Sequence, residues 1–221
     1  YYARSMGLPV KKLICASNRN NVLTDFLRTG IYDRNRPFHT TISPSMDILI
    51  SSNLERLLYL ASGCDGEAVR SMMDSLRENG CYRAPEQVMS AIRAGFDCGC
   101  ASDAEAMDTI GRVFRKTHYL MDPHTAVAWK VAEDAAALRG GSAPMVVLST
   151  ASPFKFPQSV LAALGEEDGG DAQAQLRRLE RVSGAEAPRA LSNALTRPAR
   201  FKDVVAPENM MAYVMERAAE V

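Results

Sequence analysis

The sequence predicts an α/β fold: three layers, αβα, around a mostly parallel sheet with a helical excursion. Three observations predict it. Short apolar runs, Val10 to Ala16 and Met145 to Leu148, stop in polar residues, Ser17-Asn18-Arg19-Asn20 and Ser149-Thr150. Amphipathic helical stretches with capping signals separate these runs, the alternation expected of βαβ units. Hydrophobic residues make up 47% of the 221, ample for a core, and 26 basic residues balance 26 acidic ones. That neutrality argues against a nucleic-acid footprint and against a membrane-surface patch. The sequence has no apolar run of bilayer length and no signal-peptide pattern. With an odd count of five cysteines, this predicts a reduced, cytoplasmic protein.

Tyr1 to Gly7 reads as the last turns of a helix with Gly7 beyond its end, so the chain is expected to be cut from something longer. Pro9 to Ala16 follows as a strand. Asn20 is expected to cap a helix from Asn21 to Thr29, with Val22, Leu23, Phe26 and Leu27 on one face and Gly30 ending it. Asn18, at the strand's carboxyl end, fits either an Asx turn or a ligand contact. Ile31 to Pro37 reads as a polar connection. Thr40 to Ile48 is dense in hydroxyls around Pro44. With Ser43 and Ser45 it can hold a phosphate through hydroxyls and backbone N–H groups, or form a capped turn. Helices from Ser51 or Ser52, from Asp65 to Asn79 and from Pro85 to Ala94 then make up the excursion, about residues 51–95.

Phe96 to Ala101 returns as a strand. The Cys98-Gly99-Cys100 spacing is too short for a zinc ribbon, and no metal site is predicted. Ser102 and Glu105 form a capping box for a helix through Lys116, with Met107, Ile110, Val113 and Phe114 at helical spacing. Asp122 caps a long helix with Pro123 at its first position and Ala126, Val127, Val131 and Ala132 facing inward. His124 lies in its first turn, where the helix dipole suits the imidazole to neutral hydrogen bonding, toward a ligand or toward local backbone. Met145 to Leu148 reads as a strand buried on both faces. Its carboxyl end presents Ser149, Thr150 and Ser152, either to a ligand without bringing a charge or to the turn's own backbone. Ser159 to Leu164 is a short helix closed by Gly165. Beyond an acidic loop, Glu166 to Asp171, helices are expected at Gln173 to Val182, Pro188 to Leu195 and Pro207 to Ala219. The last should pack through Met211, Val214 and Met215, and Phe201 to Val205 should add an edge strand. The domain is therefore expected to span 1–165, with 166–221 as a helical extension packed on it.

Four stretches together resemble the threonine synthases. They are Gly7-Leu8-Pro9-Val10 through Leu13-Ile14-Cys15-Ala16-Ser17-Asn18 with Val22-Leu23-Thr24 and Thr29-Gly30; Thr41 to Asp47 with Ser51-Ser52-Asn53-Leu54-Glu55-Arg56; Tyr119 to Val127; and Leu148 to Pro157. The similarity spans Tyr1 to Leu164, with fainter matches at Pro188 to Leu191 and Pro198-x-Arg200. The resemblance implies the C-terminal part of a fold-type-II pyridoxal-phosphate enzyme, the tryptophan-synthase-β type. The family converts O-phospho-L-homoserine and water to L-threonine and phosphate, and a lysine in its N-terminal half holds the cofactor as a Schiff base.

The resemblance further implies that Thr150 faces the cofactor's pyridine nitrogen. Asn18, Ser43, Ser45 and His124 are candidates for pocket or substrate contacts, and Lys155, in the family's place, either attracts phosphate or is simply solvated. The family usually has His where this chain has Ser152 and Ala where it has Phe154. No Gly-Asn-Phe-Gly occurs, and none of Lys11, Lys12, Lys116, Lys130, Lys155 and Lys202 sits in the family's Schiff-base context. The chain is thus expected to carry no catalytic residue, to need the N-terminal half as partner, and to be inactive alone. The other reading is a non-catalytic phospholigand-binding or interaction module of the same fold.

Overall fold

The computed structural model describes residues 1–139, 143–166 and 169–219, which fall into two units, Tyr1–Ala187 and Pro188–Val221. In the first, a short α1 (Tyr2–Ser5) leads through Gly7, at φ +101°, to β1 (Leu13–Ser17). The strand starts later than expected. Pro9 has no N–H to give, and pairing begins only where Leu13 meets Phe96. α2 (Val22–Thr29) presses Val22 and Phe26, both fully buried and one helical turn apart, onto the core. Gly30 closes it in the left-handed region, at φ +75°.

The expected polar connection at 31–37 begins instead as β2 (Ile31–Asp33). The excursion continues with α3 (Ser52–Ala61), α4 (Gly66–Asn79), β3 (Cys81–Arg83) and α5 (Glu86–Gly95). β2 and β3 pair antiparallel with Tyr32 opposite Tyr82. Both rings point inward and stack at 5.3 Å, and Phe26 lies 5.9 and 5.8 Å from them. An offset aromatic cluster of this kind contributes beyond its buried area, so two very short strands persist inside a helical region. Asp65 caps α4 by accepting from the N–H groups of Glu67 and Ala68.

β4 (Phe96–Cys100) runs parallel to β1, in register from Leu13–Phe96 to Ser17–Cys100. Among the described residues this pair is the whole parallel sheet. The Ser102–Glu105 capping box opens α6 (Asp103–Thr117), and Asp122 caps α7 (Pro123–Arg139). Ala126, Val127, Val131 and Ala132 of α7 are buried, and Val131 lies directly over Gly99, where a Cβ would stand 2.7 Å from it.

Met145 to Leu148 overturns its expectation. The segment is extended but pairs with no strand, and Val146 and Leu148 are 80% and 73% exposed. A doubly buried strand needs hydrogen-bonded neighbours, and this one has none among the described residues. After a 3-10 turn at Pro153–Lys155, α8 (Pro157–Ala163) and α9 (Ala172–Ser183) pack together, with Leu176 and Leu179 of α9 buried. The first unit therefore closes at Ala187 and takes in residues assigned from composition to the extension.

The second unit holds α10 (Arg189–Thr196), a 3-10 turn at Pro207–Asn209 and α11 (Met210–Ala219). Neither helix buries a residue; Met211, Val214 and Met215, expected to pack, are exposed. Residues 201–205 form no strand either, with Phe201 and Val204 exposed and unpaired. The ties within this unit are polar: Asp203 accepts from Tyr213 at 2.6 Å and from Arg217 at 2.9 Å.

Gly111 lets α6 approach α8 closely. A Cβ there would stand 2.6 Å from the backbone oxygen of Ala163 in α8. Gly111→Ala gains about 1 kcal/mol in helix propensity but overpacks against backbone, which costs about 1–3 kcal/mol. The expected result is a lower thermal midpoint; a rise would show that α8 shifts freely.

Candidate functional site

The carboxyl ends of β1 and β4 are tied to α2 by Thr24, whose hydroxyl donates to the Gly99 carbonyl at 2.9 Å and lies 3.0 Å from the Ser17 hydroxyl. Next along the chain, Asn18 is completely buried. Its Oδ1 accepts from the Asn20 N–H at 2.9 Å, the Asx turn anticipated at this position. Its Nδ2 lies 2.7 Å from Asp47 Oδ1, 2.8 Å from Thr41 Oγ1 and 3.0 Å from Ser43 Oγ. Asn20 repeats the arrangement, donating from Nδ2 to Asp47 Oδ1 and to the His39 carbonyl while accepting from the His39 N–H. Asp47 also receives the N–H and the hydroxyl of Thr41. A carboxylate and two amides thus fasten the 39–47 loop to the end of β1.

This fastening decides what the loop can do. The N–H groups of Ser43, Ser45, Met46, Asp47 and Ile48 are all engaged within the protein, and Pro44 has none. A phosphate cradle of backbone N–H groups is therefore not available across this turn. Ser43 is fully buried inside the network. The Ser45 hydroxyl is exposed and has no hydrogen-bond partner among the described residues.

The Ser45 N–H leaves the loop and donates to His124 Nε2 at 3.1 Å. On the other side of the ring, Nδ1 lies 2.8 Å from Asp122 Oδ1. Asp122 is fully buried and also accepts from the His124 N–H and the Thr125 hydroxyl. Burial pushes its carboxyl up, but hydrogen bonds from the side chains and backbones of His124 and Thr125 outweigh that and hold it below the ordinary aspartate range. Thr125 Oγ1 lies 3.5 Å from the Ser149 hydroxyl, which in turn receives Tyr119 OH at 3.3 Å. Phe156 packs on the His124 ring with centroids 4.8 Å apart.

The structure therefore joins Asn18 and Ser43 in one network and Ser45 and His124 by one hydrogen bond. Thr150 follows Ser149 at the edge of this cluster, exposed, without a partner among the described residues, and on no strand end. Lys155 is also exposed, its Nζ 5.9 Å from the Phe156 ring. The two departures from the family have local roles. Ser152 caps the 3-10 turn by accepting from the Phe154 N–H, and Phe154 is buried in the core. Two grooves, of about 640 and 320 Å³, lie against β4 and α7 and beside α1 and α3, and contain none of these residues.

Asp47 and Asn20 were not anticipated as parts of the cluster. The signal for Asp47 was a lone carboxylate closing a run of hydroxyls. Of the lysines, Lys12 donates to the Arg93 carbonyl and Lys130 pairs with Asp134, while Lys155 stands exposed beside Phe156. The arrangement offers neutral hydroxyls over a floor of engaged amides and carboxylates, suited to hydrogen-bonding a ligand.

A family model described as threonine synthase, C-terminal, matches residues 125–214. Threonine synthase of Pseudomonas aeruginosa is 42% identical over 160 residues, 72% of this chain and 34% of that protein. The crystal structure of pyridoxal-phosphate-bound threonine synthase from Brucella melitensis superposes with a TM-score of 0.77 at 42% identity, over 91% of this chain and 39% of that one. Threonine synthase from yeast superposes with a TM-score of 0.82 at 30% identity, over all of this chain and 45% of that one. The chain thus spans about a third of the Pseudomonas relative and less than half of either solved chain.

Fold and relatives together define a portion of an α/β enzyme of the fold-type-II pyridoxal-phosphate class. Within that class the chain belongs to the threonine synthase family, of which it covers the C-terminal portion.

Proposed function

We propose that this chain serves as the C-terminal portion of a threonine synthase, converting O-phospho-L-homoserine and water to L-threonine and phosphate with pyridoxal phosphate. The observation that carries the reading is the superposition of 91% of the chain on the cofactor-bound Brucella enzyme at 42% identity. When bound, the cofactor supplies an electron-withdrawing ring that stabilises carbanions on the substrate.

The residues present fit a supporting share of that site. Thr150 offers a hydroxyl with no partner among the described residues, which can meet the ring nitrogen without placing a charge there. Ser45 offers a second such hydroxyl, and Lys155 an exposed ammonium for a phosphate group. Asn18, Ser43 and His124 act beneath the surface: they hold the Ser45 turn and do not touch ligand themselves. None of the chain's lysines stands in the sequence context of the family's Schiff-base lysine, so in this reading the covalent anchor belongs to the N-terminal half of the enzyme.

Mixing the chain with pyridoxal phosphate, reducing with borohydride and recording the intact mass tests this. The expected result is no single stoichiometric adduct and no threonine from O-phospho-L-homoserine. One adduct on one lysine with turnover would overturn the inactivity, while phosphohomoserine binding without turnover by the intact polypeptide would favour a binding module instead.

A further inference from the structure

We infer that Asp122 and His124 form a positioning pair that sets the Ser45 turn against the Ser149–Thr150 segment; what the site acts on rests on the function proposed above. A backbone N–H can only donate, so the Ser45 N–H requires a lone pair on His124 Nε2. The ring proton of the neutral imidazole then sits on Nδ1, where it donates to Asp122 Oδ1 at 2.8 Å. Asp122 is fixed in turn by the His124 N–H and by the Thr125 hydroxyl, so the carboxylate dictates both the tautomer and the direction of the ring.

The geometry gives this pair a reach that a plain cap does not have. The Ser45–His124 bond is the only hydrogen bond between the 41–47 loop and α7 among the described residues, and it spans 79 positions of sequence. The loop's other fastenings run to β1. Through Thr125 the same first turn of α7 reaches Ser149, next to Thr150. The first turn of α7, through His124 and Thr125, therefore meets two segments that each carry an exposed hydroxyl without a partner among the described residues. Neither Asp122 nor His124 needs to touch the ligand: both are buried, and both ring nitrogens are engaged.

The test uses the intact polypeptide that carries this segment. Asp122→Asn keeps an oxygen at the Oδ1 place, where the His124 N–H and Nδ1 converge, but loses the carboxylate charge and turns its amide NH₂ on the Thr125 hydroxyl, so the ring is held more weakly against the Ser45 N–H. His124→Asn keeps a donor near Asp122 and loses the acceptor; His124→Gln keeps an acceptor at the reach of Nε2. The ¹⁵N shifts of the imidazole, amide exchange at Ser45, and kcat and KM for O-phospho-L-homoserine are measured. The wild type is expected to show the Nδ1–H tautomer. D122N and H124N should speed Ser45 exchange and lower kcat/KM by about tenfold each, the worth of one lost hydrogen bond, with H124Q recovering most of both. An Nε2–H tautomer in the wild type, unchanged exchange and kinetics in D122N and H124N, or H124Q as impaired as H124N would overturn the pairing. If the wild-type polypeptide makes no threonine, the proposed reaction fails, while the ring shifts and Ser45 exchange still decide the positioning pair.

Discussion

Asp122→Ala is expected to lower the stability of the first unit by about 3–5 kcal/mol. The substitution removes three things at once. The N-cap of α7 contributes about 1 kcal/mol. The His124 ring and the Thr125 hydroxyl then lose a buried acceptor, and each stranded group costs about 1–3 kcal/mol. Urea unfolding with an unchanged slope measures the loss; a loss near 1 kcal/mol would mean that Asp122 is only a cap. The pH dependence follows from the same contacts. The folded carboxyl is held below its ordinary value, so the folded state binds fewer protons than the unfolded state in that range. Its stabilisation is complete above the unfolded value, about pH 4, and is lost as pH falls through the lower folded value. Asp122→Ala should flatten that part of the stability–pH curve.

Asn18→Ala is expected to cost about 3 kcal/mol, because a fully buried amide lies at the centre of several polar groups and its loss leaves more than one unmatched. Asp47 keeps its bonds from Asn20 and Thr41, which bounds the damage. The loop should come loose from β1 before the unit unfolds. The expected signature is faster amide exchange at Thr41 and Ser43 under native conditions, beyond the change in global stability. Exchange that merely tracks global unfolding would show that the loop is held by its own turns.

Signals within a few residues of one another were legible before any coordinates. The Ser102–Glu105 box, the Asp122 cap and the end at Gly30 stand where expected, because each depends on contacts inside one helical turn, whereas Asn20, expected to cap α2, spends its side chain on His39 and Asp47 and leaves Asn21 at the cap position. The Asx turn of Asn18 is local for the same reason. Not legible were β2 and β3, too short for any periodicity and held by Phe26, Tyr32 and Tyr82 meeting across the fold. Nor was the convergence of Asn18, Asn20 and Asp47, since amides and carboxylates carry no mark of their distant partners.

From the chain alone followed its class, most of its helices, the Ser102 and Asp122 caps, and the polar residues at the end of β1, for these rest on backbone propensity and short-range hydrogen bonds. The tertiary structure decided the rest. It left Met145 to Leu148 exposed, since the same apolar run is a core strand or an open segment according to whether another strand's N–H and C=O groups lie alongside it. It also drew the Ser45 turn onto His124, because a single donor and acceptor far apart in sequence find each other only when packing has already placed α7 beside the loop.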